Sequence, residues 1–287
     1  MSGIEAPTSS ARAFLGRVPA LDDMDLSEVP GTPFQRHPWE VARARFFRDV
    51  VRGAGLSAGP RAVLDVGAGD GYLTGLLLAD LPGGSSAVCF DDHYTDEDLR
   101  RLGASSPPGL TFTRQRPAGR FDLILLLDVI EHVPDDRAFV GSFVAHNLAP
   151  GGAVVVSVPA WPALFSRHDE ALKHYRRYSP TAARAMLARA GLAAFRSGGL
   201  FHSLVLPRAL TVAGERLQRR LGRTPAPPAH LGQWGGGAFV SAAVTGALTV
   251  DNALSHLLAR FDRTLPGLSF WALCRPQRRS AAAERAT

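Results

Sequence analysis

The stretch Val63-Leu64-Asp65-Val66-Gly67-Ala68-Gly69-Asp70-Gly71-Tyr72 is a strand that breaks into a glycine turn and feeds a helix. Val63, Leu64 and Val66 form the apolar strand. The glycines at 67, 69 and 71 let the backbone turn sharply and approach a ligand closely. Leu73, Leu76, Leu77 and Leu81 then recur at helical spacing. A strand, a glycine turn and a helix in this order make a cradle for a nucleotide.

The residues of the cradle narrow the choice of nucleotide. Counted from Gly67, the sixth position of a G-x-G-x-x-G fingerprint is Tyr72, too large for the close helix–strand packing of a dinucleotide site. No phosphate loop ending in Gly-Lys-Ser/Thr exists, because the sole lysine is Lys173. Asp65, two residues before the first glycine, is unhelpful beside a pyrophosphate and suits a cationic ligand that carries an amino acid. On these residues the chain resembles the class I S-adenosylmethionine (SAM) methyltransferases, within them the ubiquinone-pathway-like, type 11/12 group. Their first motif, apolar-Leu-Asp-x-Gly-x-Gly-x-Gly, stands complete from Leu64 to Gly71.

Three further matches follow in order. Ala87-Val88-Cys89-Phe90 ends in Asp91-Asp92, twenty residues beyond Gly71, where an acid can bind ribose hydroxyls; Asp91 is preferred because it directly follows the apolar run. Phe121 to Val133 is similar to the family's fourth strand, with Asp128 where that strand opens onto the cofactor. Leu148-Ala149-Pro150-Gly151-Gly152 is a turn before a fifth strand at 153–158. The resemblance implies a Rossmann-like, doubly wound α/β fold with a seven-stranded, mostly parallel sheet. It implies SAM as cofactor, held by Asp65, Gly67, Ala68, Gly69, Asp91 and Asp128: Asp65 and the glycine turn near the aminopropyl-carboxylate side, Asp91 on ribose, Asp128 near the methionine part.

Composition sets outer bounds. The 287 residues, 46% apolar, suffice for one large domain with an embellishment. The formal charge is +6, and every basic residue except Lys173 is arginine. With abundant Ala and Gly, this bias reads as a high-GC bacterial genome. The arginines are scattered, with clusters at Arg176-Arg177, Arg219-Arg220 and Arg278-Arg279 and no basic stripe interleaved with aromatics, so no nucleic-acid partner is expected. Cys89 and Cys274 lie in apolar runs and read as buried thiols. Met1 to Ser10 lacks a basic start and an apolar core, so a cytoplasmic enzyme is expected. Leu231 to Val250 holds no formal charge, but Gln233, its Ser and Thr residues and Gly235-Gly236-Gly237 argue for a core or lid helix rather than stable membrane insertion.

Along the chain, residues 1–36 read as a mobile segment or lid and 37–206 as the SAM-binding core. A leading helix is expected over 37–52 with Phe46, Phe47, Val50 and Val51 on one side. Strands are expected at 62–66, 86–90, 109–113, 122–127, 153–158 and 193–201, with helices at 71–81, 95–102, 135–147 and from Pro180 to Ala190, capped by Ser179. Residues 207–266 form a helical insertion, a candidate substrate lid, with a helical stripe of Val250, Leu254, Leu257, Leu258 and Phe261. The last core strand is expected at 267–276 and a disordered tail at 277–287.

The acceptor side rests on the segment after the fifth strand. His168 and His174 flank Asp169 and Glu170, and an imidazole beside a carboxylate is a base for neutral pH. His174 is the first candidate catalytic residue and His168 the second; Arg176, Arg177 and Tyr178 either grip the acceptor or tie the loop down. No metal is assigned. The alternative is that Asp128, Glu131 and His132, with a later histidine, stand where related O-methyltransferases hold a divalent ion, with Asp in place of the usual first Glu. The expected activity is methyl transfer to oxygen or nitrogen of a small molecule, an anionic one being allowed by the basic charge, in bacterial specialised metabolism. The alternatives carried are an RNA or lipid-linked acceptor, a non-catalytic SAM-binding partner, and an aminopropyl transferase. A homo-oligomer is compatible with the sequence.

Overall fold

The computed structural model describes residues 36–55, 59, 61–223, 234–259 and 265–277. The expected N-terminal segment and C-terminal tail lie outside these, apart from Arg36 and Gln277, as does Phe261.

The leading helix α1 (Pro38–Arg52) starts from His37, whose ring nitrogen accepts the Trp39 amide at 3.2 Å; Glu40 in its first turn and Arg52 in its last complement the helix dipole. The strands are β1 (Ala62–Val66), β2 (Ser86–Phe90), β3 (Leu110–Thr113), β4 (Phe121–Leu127), β5 (Leu148–Pro159), β6 (Leu192–Leu200) and β7 (Ser269–Pro276). Between them run α2 (Tyr72–Asp80), α3 (Asp96–Ser105), α4 (Asp136–Asn147), α5 (Arg167–Ala171), α6 (Pro180–Arg189), α7 (Val205–Arg220) and α8 (Ala238–Ala259). They form one seven-stranded sheet in the order β3-β2-β1-β4-β5-β7-β6, with β7 antiparallel to both neighbours.

Near-continuous apolar runs in β1, β4 and β5 follow from burial on both faces. Leu64, Val66, Ile124, Leu126, Val154 and Val156 pack on the side of α4 and α6, with Phe143, Met186 and Leu187. Val63, Leu123, Leu125 and Val155 pack on the other side with Phe46, Phe47 and Val50 of α1, Leu77 of α2 and Leu248 of α8. Strand order reverses between β1 and β4, and that switch point is where an open α/β sheet holds ligands, outside the carboxyl ends of its strands.

Two differences from the sequence reading are instructive. The turn expected at 148–152 lies inside β5: Leu148 pairs with Phe121 and Ala153 with Leu123, so Pro150, Gly151 and Gly152 are absorbed as an irregularity, with Gly151 at φ 78°. The stripe of Val250, Leu254 and Leu257 is helical, as expected, but faces outward. The inner face of α8 instead buries Thr245, Leu248, Asn252 and Ser255. Asn252 Oδ1 accepts the Phe201 amide at 3.0 Å and the Ser255 hydroxyl donates to the Gly199 carbonyl, so backbone groups at the end of β6 select the polar side of the helix.

Candidate functional site

The cradle after β1 is built from three residues that need a left-handed backbone. Gly67, Gly69 and Gly71 have φ of 66°, 54° and 70°. At Gly67 a Cβ would meet Val129 Cγ2 at 2.6 Å, and at Gly71 it would meet the Phe112 ring at 2.7 Å. The Gly71 amide closes the turn on the Ala68 carbonyl at 3.0 Å, the Gly67 amide donates to the Phe90 carbonyl at 2.8 Å, and the Tyr94 hydroxyl donates to the Gly69 carbonyl at 2.6 Å. Both sides of the turn are therefore tied to β2 and the segment after it.

Acids from three strand ends surround this turn. Asp65 is buried and accepts the Thr74 hydroxyl; burial pushes its carboxyl up to about 7 against that hydrogen bond and Arg43, with Asp91 and Asp70 adding repulsion. Asp91 follows β2, with its amide on the Thr113 carbonyl and its Oδ1 accepting the His93 amide at 3.1 Å. Asp128 follows β4 at φ 57°, in the left-handed region; Ser157 Oγ donates to its Oδ1 at 2.9 Å and Arg43 Nη2 pairs with its Oδ2 at 2.7 Å. Trp161 and Phe201, after β5 and β6, are also left-handed. Strained backbone thus gathers at the carboxyl ends of the strands, where the site lies.

The cradle suits SAM on three observations. The carboxylates repel one another, so a sulfonium or ammonium group relieves them. Gly67 leaves no room for a side chain at the turn. Arg43 Nε is buried without a hydrogen-bond partner among the described residues, a donor for the carboxylate of the methionine part. Arg43 escaped the sequence reading because it is one of four arginines on an amphipathic helix, which together read as a solvated face.

The segment after β5, expected to face the acceptor, is organised around Asp169. Its carboxylate, 0% exposed, accepts from the Ser166 amide at 3.0 Å, His174 Nδ1 at 3.0 Å, Arg177 Nε at 2.7 Å and Arg208 Nη2 at 2.7 Å. Burial would raise its pKa, but His174, Arg177 and Arg208 outweigh that and hold it well below the usual carboxylate range. With Nδ1 committed to Asp169, His174 presents Nε2, and its ring stands edge-on to His132 with centroids 4.6 Å apart. Burial, then the neighbouring His174, lowers His132 to about 4. His168 sits on α5 beside Asp169; burial and then Arg208 lower it to about 4. Arg177 also donates to the Ala160 carbonyl, Arg176 to the Pro134 carbonyl, and Tyr178 to Asp136 Oδ2, so these three residues tie the loop down.

Glu131 is 0% exposed, and neither carboxylate oxygen has a hydrogen-bond partner among the described residues. Burial, then Asp128, raises its carboxyl well above the usual range. Ligand atoms of Glu131, His132 and His174 lie within 4.8 Å of one another. The fold therefore brings together Glu131, His132 and a later histidine, while Asp128 turns to Arg43 and Ser157.

A sheet of this order, with an acid-lined glycine cradle at its switch point, is the fold of the class I SAM-dependent methyltransferases. The methyltransferase domain family model matches residues 39–196, more than half of the chain, and the chain belongs to that family. An uncharacterised methyltransferase of Mycobacterium avium (strain 104) is 30% identical over 151 residues, covering 46% of this chain and 53% of the relative. The chain spans about half the length of the curated relatives it matches. Among solved structures, a Galdieria sulphuraria protein named for sarcosine dimethylglycine methyltransferase activity superposes with a TM-score of 0.51 at 16% identity, over 83% of this chain and 85% of that one. A structure of the Haloferax volcanii Trm112 methyltransferase activator in complex with a methyltransferase matches with a TM-score of 0.52 at 14% identity, over 91% and 100%. At these identities the likeness is one of fold.

Proposed function

We propose that this chain transfers a methyl group from SAM to an oxygen or nitrogen of a small molecule, with His174 as general base and Asp169 as the residue that orients it. The observation that carries this reading is the Asp169–His174 pair, which offers a fixed imidazole Nε2. When bound, the cofactor supplies an electrophilic methyl on a sulfonium. Asp65, Gly67, Ala68, Gly69 and Asp91 hold and orient it, and Asp128 with Arg43 borders the methionine part. His174 Nε2 takes the proton from the acceptor hydroxyl or amine, and Asp169 stabilises the imidazolium that forms. His168 neighbours Arg208 and has the weaker claim. An arginine-rich, lysine-poor composition supports a bacterial enzyme of specialised metabolism, and the scattered arginines favour a small acceptor over RNA.

Calorimetry with demethylated cofactor and an acceptor screen by mass shift test the proposal. His174→Gln is expected to lower kcat by ~10²-fold or more and to leave cofactor affinity unchanged. Asp91→Ala is expected to weaken cofactor binding by roughly 10- to 100-fold, the worth of hydrogen bonds to a charged group. Equal affinity in that variant removes Asp91 from the ribose.

A second reading is favoured by the orphaned oxygens of Glu131: a divalent cation held by Glu131, His132 and His174, with Asp169 behind His174 as its supporting carboxylate. Turnover that vanishes in chelator and returns with added metal supports it; full turnover in chelator leaves His174 as the base.

A further inference from the structure

We propose that the outward faces of α7 and α8 form a docking surface for an anionic lipid bilayer, on which the enzyme lies without spanning it. The proposal is independent of the acceptor and of the roles given to His174 and Glu131.

Every exposed position of α8 is apolar or glycine. Phe239 is 86% exposed and Val250 75%, and Val240, Leu254 and Leu257 join them; the exposed positions between are alanine and glycine. These positions cover an arc of roughly 160° at 100° per residue and extend for about 27 Å at 1.5 Å per residue. Helix α7 carries a narrower stripe of Leu206, Leu210, Leu217 and Leu221, all more than half exposed, within an arc of roughly 60°. Arg216, Arg219, Arg220 and Arg223 are exposed and flank this stripe on one side. The two helices are fastened to each other where α7 begins: Ser203 bonds Asp251 of α8 at 3.2 Å and His202 bonds Ser255 at 2.7 Å.

Exposed leucines rimmed by arginines are the chemistry of a helix lying in the plane of an anionic interface. A spanning role conflicts with the polar inner face of α8, which is fastened to β6 through Asn252 and Ser255. A second copy fits less well. The face of α8 is too wide for a two-helix seam, and its single flanking charge, Asp251, is already paired with Ser203. Pairing two α7 faces would also set like charges against each other. The surface is joined to the site: Arg208 of α7 bonds Asp169, Arg219 pairs with Glu170 at 3.3 Å, and Arg216 donates to the Ala163 carbonyl at 2.6 Å.

Co-sedimentation of the full chain with phosphatidylglycerol/phosphatidylcholine vesicles, against phosphatidylcholine alone, tests the proposal. Binding to the anionic vesicles is expected to exceed binding to the neutral ones by tenfold or more and to weaken with salt. The double variant Leu210→Glu/Leu217→Glu is expected to lose at least tenfold in bound fraction while keeping the parent melting temperature. As a check that leaves α7 untouched, Val250→Cys can be labelled selectively with an environment-sensitive fluorophore, because Cys89 and Cys274 are fully buried. A blue shift on anionic vesicles is expected. No sedimentation together with no blue shift overturns the proposal. Equal binding to neutral vesicles overturns the anionic surface, and a dimer in solution that Leu210→Glu/Leu217→Glu dissociates assigns the face to a second copy.

Discussion

Asp65 sits where a carboxylate is costly to ionise, beneath a glycine turn and facing other acids. Its folded-state carboxyl, near 7, lies above the ordinary value of 3.8 that the unfolded chain would show. Between pH 4 and 7 the folded protein therefore keeps a proton that the unfolded chain has released. Its contribution to stability is complete below the unfolded value and is lost as pH rises toward 7, at up to about 1.4 kcal/mol per pH unit. Asp65→Asn removes this dependence, so the melting temperature of the variant should fall less than that of the parent between pH 4 and 7 without cofactor. Matching curves would show that Asp65 is ionised throughout. A bound cation beside Asp65 would favour its charged form, so saturating cofactor should shrink the difference between the two proteins.

At the scale of elements, α7 matters more than its packing suggests. Val212 is its sole buried residue, yet it supplies Arg208 to the carboxylate that orients His174. Arg208→Ala is expected to lower kcat by about tenfold, on the order of 1.4 kcal/mol, with cofactor affinity unchanged, because it loosens Asp169 and leaves the cradle alone. Arg208→Lys, which restores a cation next to Asp169, should recover part of the loss. A fall in cofactor affinity equal to the fall in kcat would instead mean that the variant disturbs the whole sheet edge.

Across the molecule, stability should be uneven. Leu123, Ile124, Leu125 and Leu126 of β4 are fully buried and flanked by strands on both sides, whereas α7 lies almost wholly at the surface. Amides of β1, β4 and β5 are expected to exchange orders of magnitude more slowly than those of α7 in hydrogen-exchange mass spectrometry. Uniform protection would mean that α7 unfolds only with the core. Anionic vesicles should selectively slow exchange in α7 and α8.

The strands β1 to β4, the second half of β5 and the glycine cradle with its acids were legible in the amino-acid order, because strands buried on both faces read as apolar runs and only glycine fits the left-handed turn beside Val129. The ends of β6 and β7 moved by one or two residues, where pairing rather than pattern sets the limit. Helix α7 falls almost wholly within the insertion expected to be helical, but its bounds were not legible, since a helical stripe was marked only in the second half, and the direction of that stripe followed from the polar needs of Gly199 and Phe201. The sequence by itself determined the cofactor class, since that depends on residues a few positions apart. The tertiary structure decided what stands beyond the cradle: the Glu131-His132 pair, His174 and Arg208 come from three separate segments, and only the packed sheet brings their side chains together.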